Sequence, residues 1–160
     1  RFILSEYRHT HLARHFGLNH LVGSHFNAQT FPSPIELVNY INVHKAEDIV
    51  SQTGRRSLFS FCLHDGRMAG KLGLVKRAQI PNEDIILLSR EGFTIEVGLV
   101  DELPETPKFC VIADQTLDGL SVVTAFPGSY ARPFAQKSQP NDQFILNQQF
   151  WEQHVLIKKK

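Results

Sequence analysis

Five of the eight histidines fall within the first 25 residues, at His9, His11, His15, His20 and His25, with Arg8 and Arg14 among them and Glu6 as the one acidic residue there. Imidazole titrates near neutrality, so it can give and take a proton in one cycle or coordinate a metal through a neutral nitrogen. Histidines beside arginines therefore fit two chemistries. One is general acid–base catalysis on an anionic substrate, with guanidinium groups holding the anion. The other is a metal site. His9-Thr10-His11 has the His-x-His spacing that a strand uses to grip one ion, whereas His11 and His15 have the i, i+4 spacing that a helix uses. The two metal readings demand different local structure, and neither carries the adjacent glutamate of a His-Glu-x-x-His motif. A carboxylate such as Asp65 would have to complete the site.

The elements that must hold these residues begin with a helix. Ser5 is an N-cap for a segment running to about Phe16, with Gly17 as the stop. On it His11 and His15 share a face and His9 points elsewhere. Ser33-Pro34-Ile35-Glu36 starts a second helix: Ser33 caps, Pro34 takes the first helical position and Glu36 completes a capping box. Ile35, Leu37, Val38 and Ile41 give that helix a face to bury.

From Ser57 the period changes. Ser57 to His64 is rich in strand formers and ends at Asp65-Gly66, a hairpin signal, with Lys71 to Lys76 as the expected partner. Ile85 to Leu88 and Phe93 to Val100 flank Arg90-Glu91-Gly92. Lys108 to Ala113 and Leu120 to Phe126 flank Asp118-Gly119. Three hairpins in series after two helices imply an α+β class, with N-terminal helices packed on an antiparallel sheet. A polar, proline-containing loop from Ser129 to Pro140 precedes a C-terminal helix, about Asp142 to His154, with Phe144, Ile145, Phe150 and Trp151 as docking residues. Lys158-Lys159-Lys160 reads as a solvated tail. No internal repeat and no long linker interrupts residues 1–160, so they read as a single globular domain.

Composition narrows the function. With 160 residues and 42% hydrophobic content the chain can build a core, and a net charge of +1 supplies no global basic field for nucleic acid. The charge is uneven, however. Residues 1–30 hold Arg1, Arg8 and Arg14 against Glu6, which permits a local basic patch, while the acidic residues gather between 82 and 105. Cys62 and Cys110 are too few and too far apart for a disulfide framework or a thiolate zinc site, and read as buried free thiols. No apolar run approaches the roughly 20 residues that span a bilayer. The chain starts at Arg1 with no visible signal peptide, which leaves its compartment open.

Arg14-His15-Phe16-Gly17 early in the chain and Gly119-Leu-Ser-Val-Val-Thr-Ala-Phe-Pro127 late in it carry a resemblance. This order is similar to that of the ribonuclease A-like toxin domains at the C-termini of bacterial contact-dependent inhibition proteins. Those domains belong to the barnase–EndoU–colicin–RelE nucleases. The likeness covers roughly residues 8–127. It implies that His15 stands at the family's catalytic histidine and Thr124 at its strand threonine. Phe126 stands where the family often has a tyrosine, and a histidine such as His25 would replace the family's second basic residue. The resemblance also implies RNA as substrate and a tight-binding immunity protein as partner.

Metal-free RNA cleavage needs a base for the 2′-hydroxyl, an acid for the leaving oxygen and donors for the charge that grows on phosphorus. It needs no cofactor, because the nucleophile is the RNA's own hydroxyl. His15 paired with His11, His20 or His25 would supply the acid and base. Arg14, Arg8 or Lys71 would neutralise the phosphate, and the Thr124 hydroxyl would hold one of its oxygens. A binding domain that keeps the fold without the activity, and a histidine-based metal hydrolase, are the alternatives.

Overall fold

The computed structural model of the protein describes residues 1–16, 25–90 and 92–160. Its elements in chain order are β1 (Phe2–Ile3), α1 (Glu6–Leu12), a 3-10 turn (Ala13–His15), β2 (His25–Phe26), α2 (Pro34–Val43), β3 (Asp48–Thr53), β4 (Arg56–Cys62), β5 (Gly70–Lys71) and β6 (Leu74–Lys76). Two further 3-10 turns lead to β7 (Ile85–Arg90), β8 (Phe93–Val100), β9 (Glu105–Thr106), β10 (Lys108–Thr116), β11 (Gly119–Pro127), α3 (Asn141–Gln153) and β12 (His154–Lys159). The class is α+β with a C-terminal helix. Two compact units share these elements. One holds the described residues up to Leu72 together with Pro104–Ser129; the other holds Gly73–Leu103 and Tyr130–Lys160.

The first unit is built on a sheet of order β1-β11-β10-β4-β3, antiparallel except that β1 runs parallel to β11. Alternation along the strands gives it two faces. Phe59, Phe61, Phe109, Val111, Ala113, Val122 and Ala125 form one, packed with Leu12 of α1 and with Leu37, Val38 and Ile41 of α2. Phe109 stacks on Phe61 at 5.1 Å and meets Phe26 and Phe31 edge-on. On the other face Leu58, Cys110 and Ile112 form a smaller cluster, with Val123 and Phe126 against it.

Local chemistry explains the two helices. The Ser5 hydroxyl accepts from the Arg8 amide at 3.2 Å, capping α1 as its sequence implies. Regular α-helix stops at Leu12 rather than near Phe16, and the chain tightens into the 3-10 turn that carries His15. Ser33 and Pro34 begin α2 as expected, but the Ser33 hydroxyl donates to the Glu36 carboxylate instead of accepting a backbone amide. That bond holds the Glu36 carboxyl below its ordinary range.

A second, small sheet of the same unit has the order β2-β5-β9. Its register aligns Phe26, Gly70 and Thr106 in one row and His25, Lys71 and Glu105 in the next. Phe26, Gly70 and Thr106 are buried.

The second unit has a sheet of order β6-β12-β8-β7, with β12 parallel to β8 and antiparallel to β6. Ile80, Val155 and Ile157 form its core with Val75, Ile85, Val100 and Leu103. The segment from Arg132 to Gln139 is fastened to α3 through Asn147, which is 2% exposed. Asn147 accepts from Arg132 Nε at 2.8 Å and donates to Gln139 Oε1 at 3.1 Å. The Trp151 indole donates to the carbonyls of Arg132 and Pro133, both at 3.0 Å.

Two of the three expected hairpins form, β7–β8 and β10–β11. The third does not. The chain turns at Gly66 with φ of 85°, but β4 is already flanked by β3 and β10, so β5 and β6 pair elsewhere. The strands consequently divide among three sheets rather than one antiparallel sheet. Phe144, Phe150 and Trp151 are half-buried as docking residues should be, whereas Ile145 faces outward and Asn147 takes the buried position. Lys158 and Lys159 belong to β12 and are not a tail. Cys110 is buried as expected, Cys62 only half-buried, and neither is in a disulfide. Among the described residues, no helix is long and apolar enough to cross a membrane.

Candidate functional site

The stacking of Phe16 on Phe26, with ring centroids 4.8 Å apart and planes 22° from parallel, organises the N-terminal histidines. Phe16 follows the 3-10 turn directly and Phe26 is the second residue of β2. Each ring is therefore preceded by a histidine, His15 on the turn and His25 on the strand. Aromatic burial clamps the turn to the strand and brings both imidazole-bearing backbones to one place. Both histidines are half-buried, so part of each side chain is accessible.

Lys71 lies beside His25. The two residues are directly opposite in the β2–β5 ladder, so their side chains leave the ribbon on the same side. Glu105 continues the row, and its carboxylate is 3.3 Å from Lys71 Nζ. The Lys71 ammonium is thus a cation already positioned next to an imidazole, with a partly exposed carboxylate as its present partner.

Gly70 makes this arrangement possible. A Cβ at position 70 would lie 2.2 Å from the His25 carbonyl oxygen and 2.6 Å from Pro127 Cγ. Only a residue without a side chain lets β2 approach β5 this closely while Pro127, at the end of β11, closes over them.

No protein-family model matches the chain, and no curated protein is significantly similar to it.

The remaining sequence-expected residues take different positions. His11 is exposed on α1, and Arg14 Nη2 sits 2.9 Å from each of its ring nitrogens. Donation from a guanidinium requires that the accepting imidazole nitrogen carry no proton, so Arg14 and His11 occupy one another. Arg8 lies over the Tyr7 ring at 5.4 Å. Its charge also reaches Asp114 on β10, whose carboxyl is held below its ordinary range chiefly by hydrogen bonding from Arg56, with lesser help from Arg55 and Arg8. His20 lies outside the described residues.

Thr124 is half-buried on β11, opposite Ile112. Directly opposed residues share a face, so Thr124 points with Ile112, Cys110 and Phe126, away from the core that takes Leu12 and Phe26. β2 and α1 are both neighbours of β11, which brings Thr124's strand alongside the histidine pair while its hydroxyl leaves from the second face. Asp114 is on that same face.

The N-terminal metal pairs are not assembled. His9 and His11 sit on a helix, where a two-residue step rotates side chains about 200° apart, and His9 lines a groove with Ile35, Val38 and Asn39 of α2. His11 is taken up by Arg14, and His15 lies beyond the end of regular α1. Asp65 is engaged by Arg67, whose amide donates at 3.0 Å and whose guanidinium donates at 2.8 Å. Among the described residues, a trio of metal-type donors does occur at Glu47, Cys62 and His64. The Cys-x-His step at 62–64 was visible in the sequence; Glu47, brought in by pairing, was not.

Proposed function

We propose that this chain is a metal-independent ribonuclease-like domain in which His15 and His25 share the acid–base work. The observation that carries the reading is the Phe16–Phe26 stack, which fixes the backbones of His15 and His25 near one another, with Lys71 opposite His25 in the β2–β5 ladder. One imidazole takes the proton of the ribose 2′-hydroxyl as O2′ attacks phosphorus. The P–O5′ bond breaks, and the other imidazole delivers a proton to O5′, leaving a 2′,3′-cyclic phosphate. Lys71 exchanges its Glu105 partner for the phosphate, and Arg8 adds positive charge along the α1 edge. Thr124, whose hydroxyl leaves from the second face of the sheet, takes no part in this step. Phe126 has no hydroxyl to contribute, so more of the phosphate contact falls to Lys71.

The resemblance to contact-dependent inhibition toxins extends this reading to a toxin role in bacteria, with an immunity protein as its protein partner and RNA as its substrate. The test is cleavage of total RNA and tRNA in EDTA by the parent, His15→Ala and His25→Ala. Each variant is expected to lose about 100- to 10,000-fold in rate with folding retained. Intact RNA with the parent, alongside measurable RNA binding, would replace the enzyme by a binding domain of the same fold.

A further inference from the structure

At the far end of β4, three donors of different chemistry converge outside the histidine site. We propose that Glu47, Cys62 and His64 bind a zinc-like divalent cation, with a fourth coordination position open to water. Cys62 and His64 flank Leu63, whose side chain is buried in the core, so both leave the strand together on the opposite side. Their backbone is held from one flank: Cys62 opposes Lys108 in the β4–β10 ladder, and the Leu63 amide donates to the Pro107 carbonyl at 2.9 Å. Glu47 arrives from the other flank, where its amide donates to the Ser60 carbonyl at 2.8 Å just ahead of β3.

The result is a thiol, an imidazole and a carboxylate whose donor atoms lie within 4.8 Å of one another. His64 Nε2 and the Glu47 carboxylate are already hydrogen-bonded. Bond lengths around tetrahedral zinc place donors about 3.3–3.8 Å apart, so closure onto an ion needs shifts of about 1 Å. Glu47 and His64 are exposed and free to make that shift, while half-buried Cys62 is the fixed point. Thiolate with imidazole selects a borderline-soft ion over calcium or magnesium, and three protein donors are the count that keeps a zinc position open. None of the three residues belongs to the proposed acid–base pair.

Cobalt(II) titrated into the purified full chain is expected to give a thiolate-to-cobalt charge-transfer band that saturates at one ion per chain and is displaced by zinc. Cys62→Ser abolishes the band, and His64→Ala and Glu47→Gln weaken binding by at least about 10-fold, whereas His9→Ala leaves it unchanged. In the unsubstituted chain, zinc protects Cys62 from iodoacetamide, with buried Cys110 as the unreactive internal reference. Absence of the band, a band that survives Cys62→Ser or is lost in His9→Ala, or alkylation of Cys62 at the same rate with and without zinc each overturns the site.

Discussion

Replacing Gly70 with alanine tests the packing that brings His25 to its place. The new methyl carbon would lie 2.2 Å from the His25 carbonyl oxygen, 2.6 Å from Pro127 Cγ and 2.9 Å from Phe26 Cα. Ordinary contact begins near 3.4 Å, so the overlap with the carbonyl exceeds 1 Å. Two of the three obstacles are backbone atoms, which cannot rotate aside. Relief requires β2 to lift from β5, straining a ladder of two residue pairs and the bond from the Asn27 amide to the Ala69 carbonyl at 2.8 Å. Overpacking of a tight interior costs about 1–3 kcal/mol, and a backbone obstacle puts this case near about 3 kcal/mol. For a chain of this size that corresponds to a drop of roughly 6–12 °C in Tm. Calorimetry and urea unfolding measure it. Gly66→Ala is the comparison, since nothing lies within 4 Å of its Cβ position and the penalty is only that of φ at +85°, about 1–2 kcal/mol. If Gly70→Ala costs no more than Gly66→Ala, β2 does not rest on β5 as described and the placement of His25 fails with it.

Other outcomes follow from single contacts. Leu12→Ala empties a fully buried position beneath α1 and is expected to cost about 2–5 kcal/mol in urea unfolding. Asn147→Ala leaves Arg132 and Gln139 without their buried partner; a loss of about 2 kcal/mol is expected, with faster proteolysis between residues 130 and 140. The Asp114 carboxyl is depressed below 3.8 by Arg56, so the unfolded chain takes up the proton first as pH falls. Its stabilisation is therefore complete above about pH 4 and is lost as pH drops through the folded value. The pair is partly exposed, which limits its worth to about 1 kcal/mol, and Asp114→Asn should flatten that part of the acid limb in a pH series of unfolding curves.

Local signals in the sequence are reliable where a turn and its two strands are contiguous. Asp118-Gly119 specifies β10–β11, and Gly92, with φ of 81°, specifies β7–β8. Asp65-Gly66 is an equally good turn, yet its pairing depends on which edges of β4 are vacant, and both are taken, one by β3 through the tight turn at Gly54-Arg55 and the other by β10 from far along the chain. β12 was hidden by lysines at its end, because Val155 and Ile157 supply its buried face without any turn to announce it. At the site, the types and spacing of the histidines showed what chemistry was possible. Which of their backbones the fold draws together depends on the Phe16–Phe26 stack, and aromatic partners carry no signature of their own pairing. The Arg14–His11 contact was legible as a three-residue helical step but not as a competitor for the arginine.

The position of β12 has a kinetic consequence. It lies between β6 and β8, strands whose paired residues precede it by more than 50 positions, so the middle of that sheet is the last part to be synthesised. At about 5–20 residues per second, roughly 3–12 s separate the emergence of Val100 from that of Lys159 on the ribosome. Throughout that interval the β7–β8 hairpin carries an unsatisfied edge of Val97, Gly98, Leu99 and Val100, a template for any passing strand. Nascent chains of the second unit are therefore most vulnerable to aggregation in this window, and a chaperone that shields the β8 edge would raise the yield of folded protein more than any stabilising change to the finished fold.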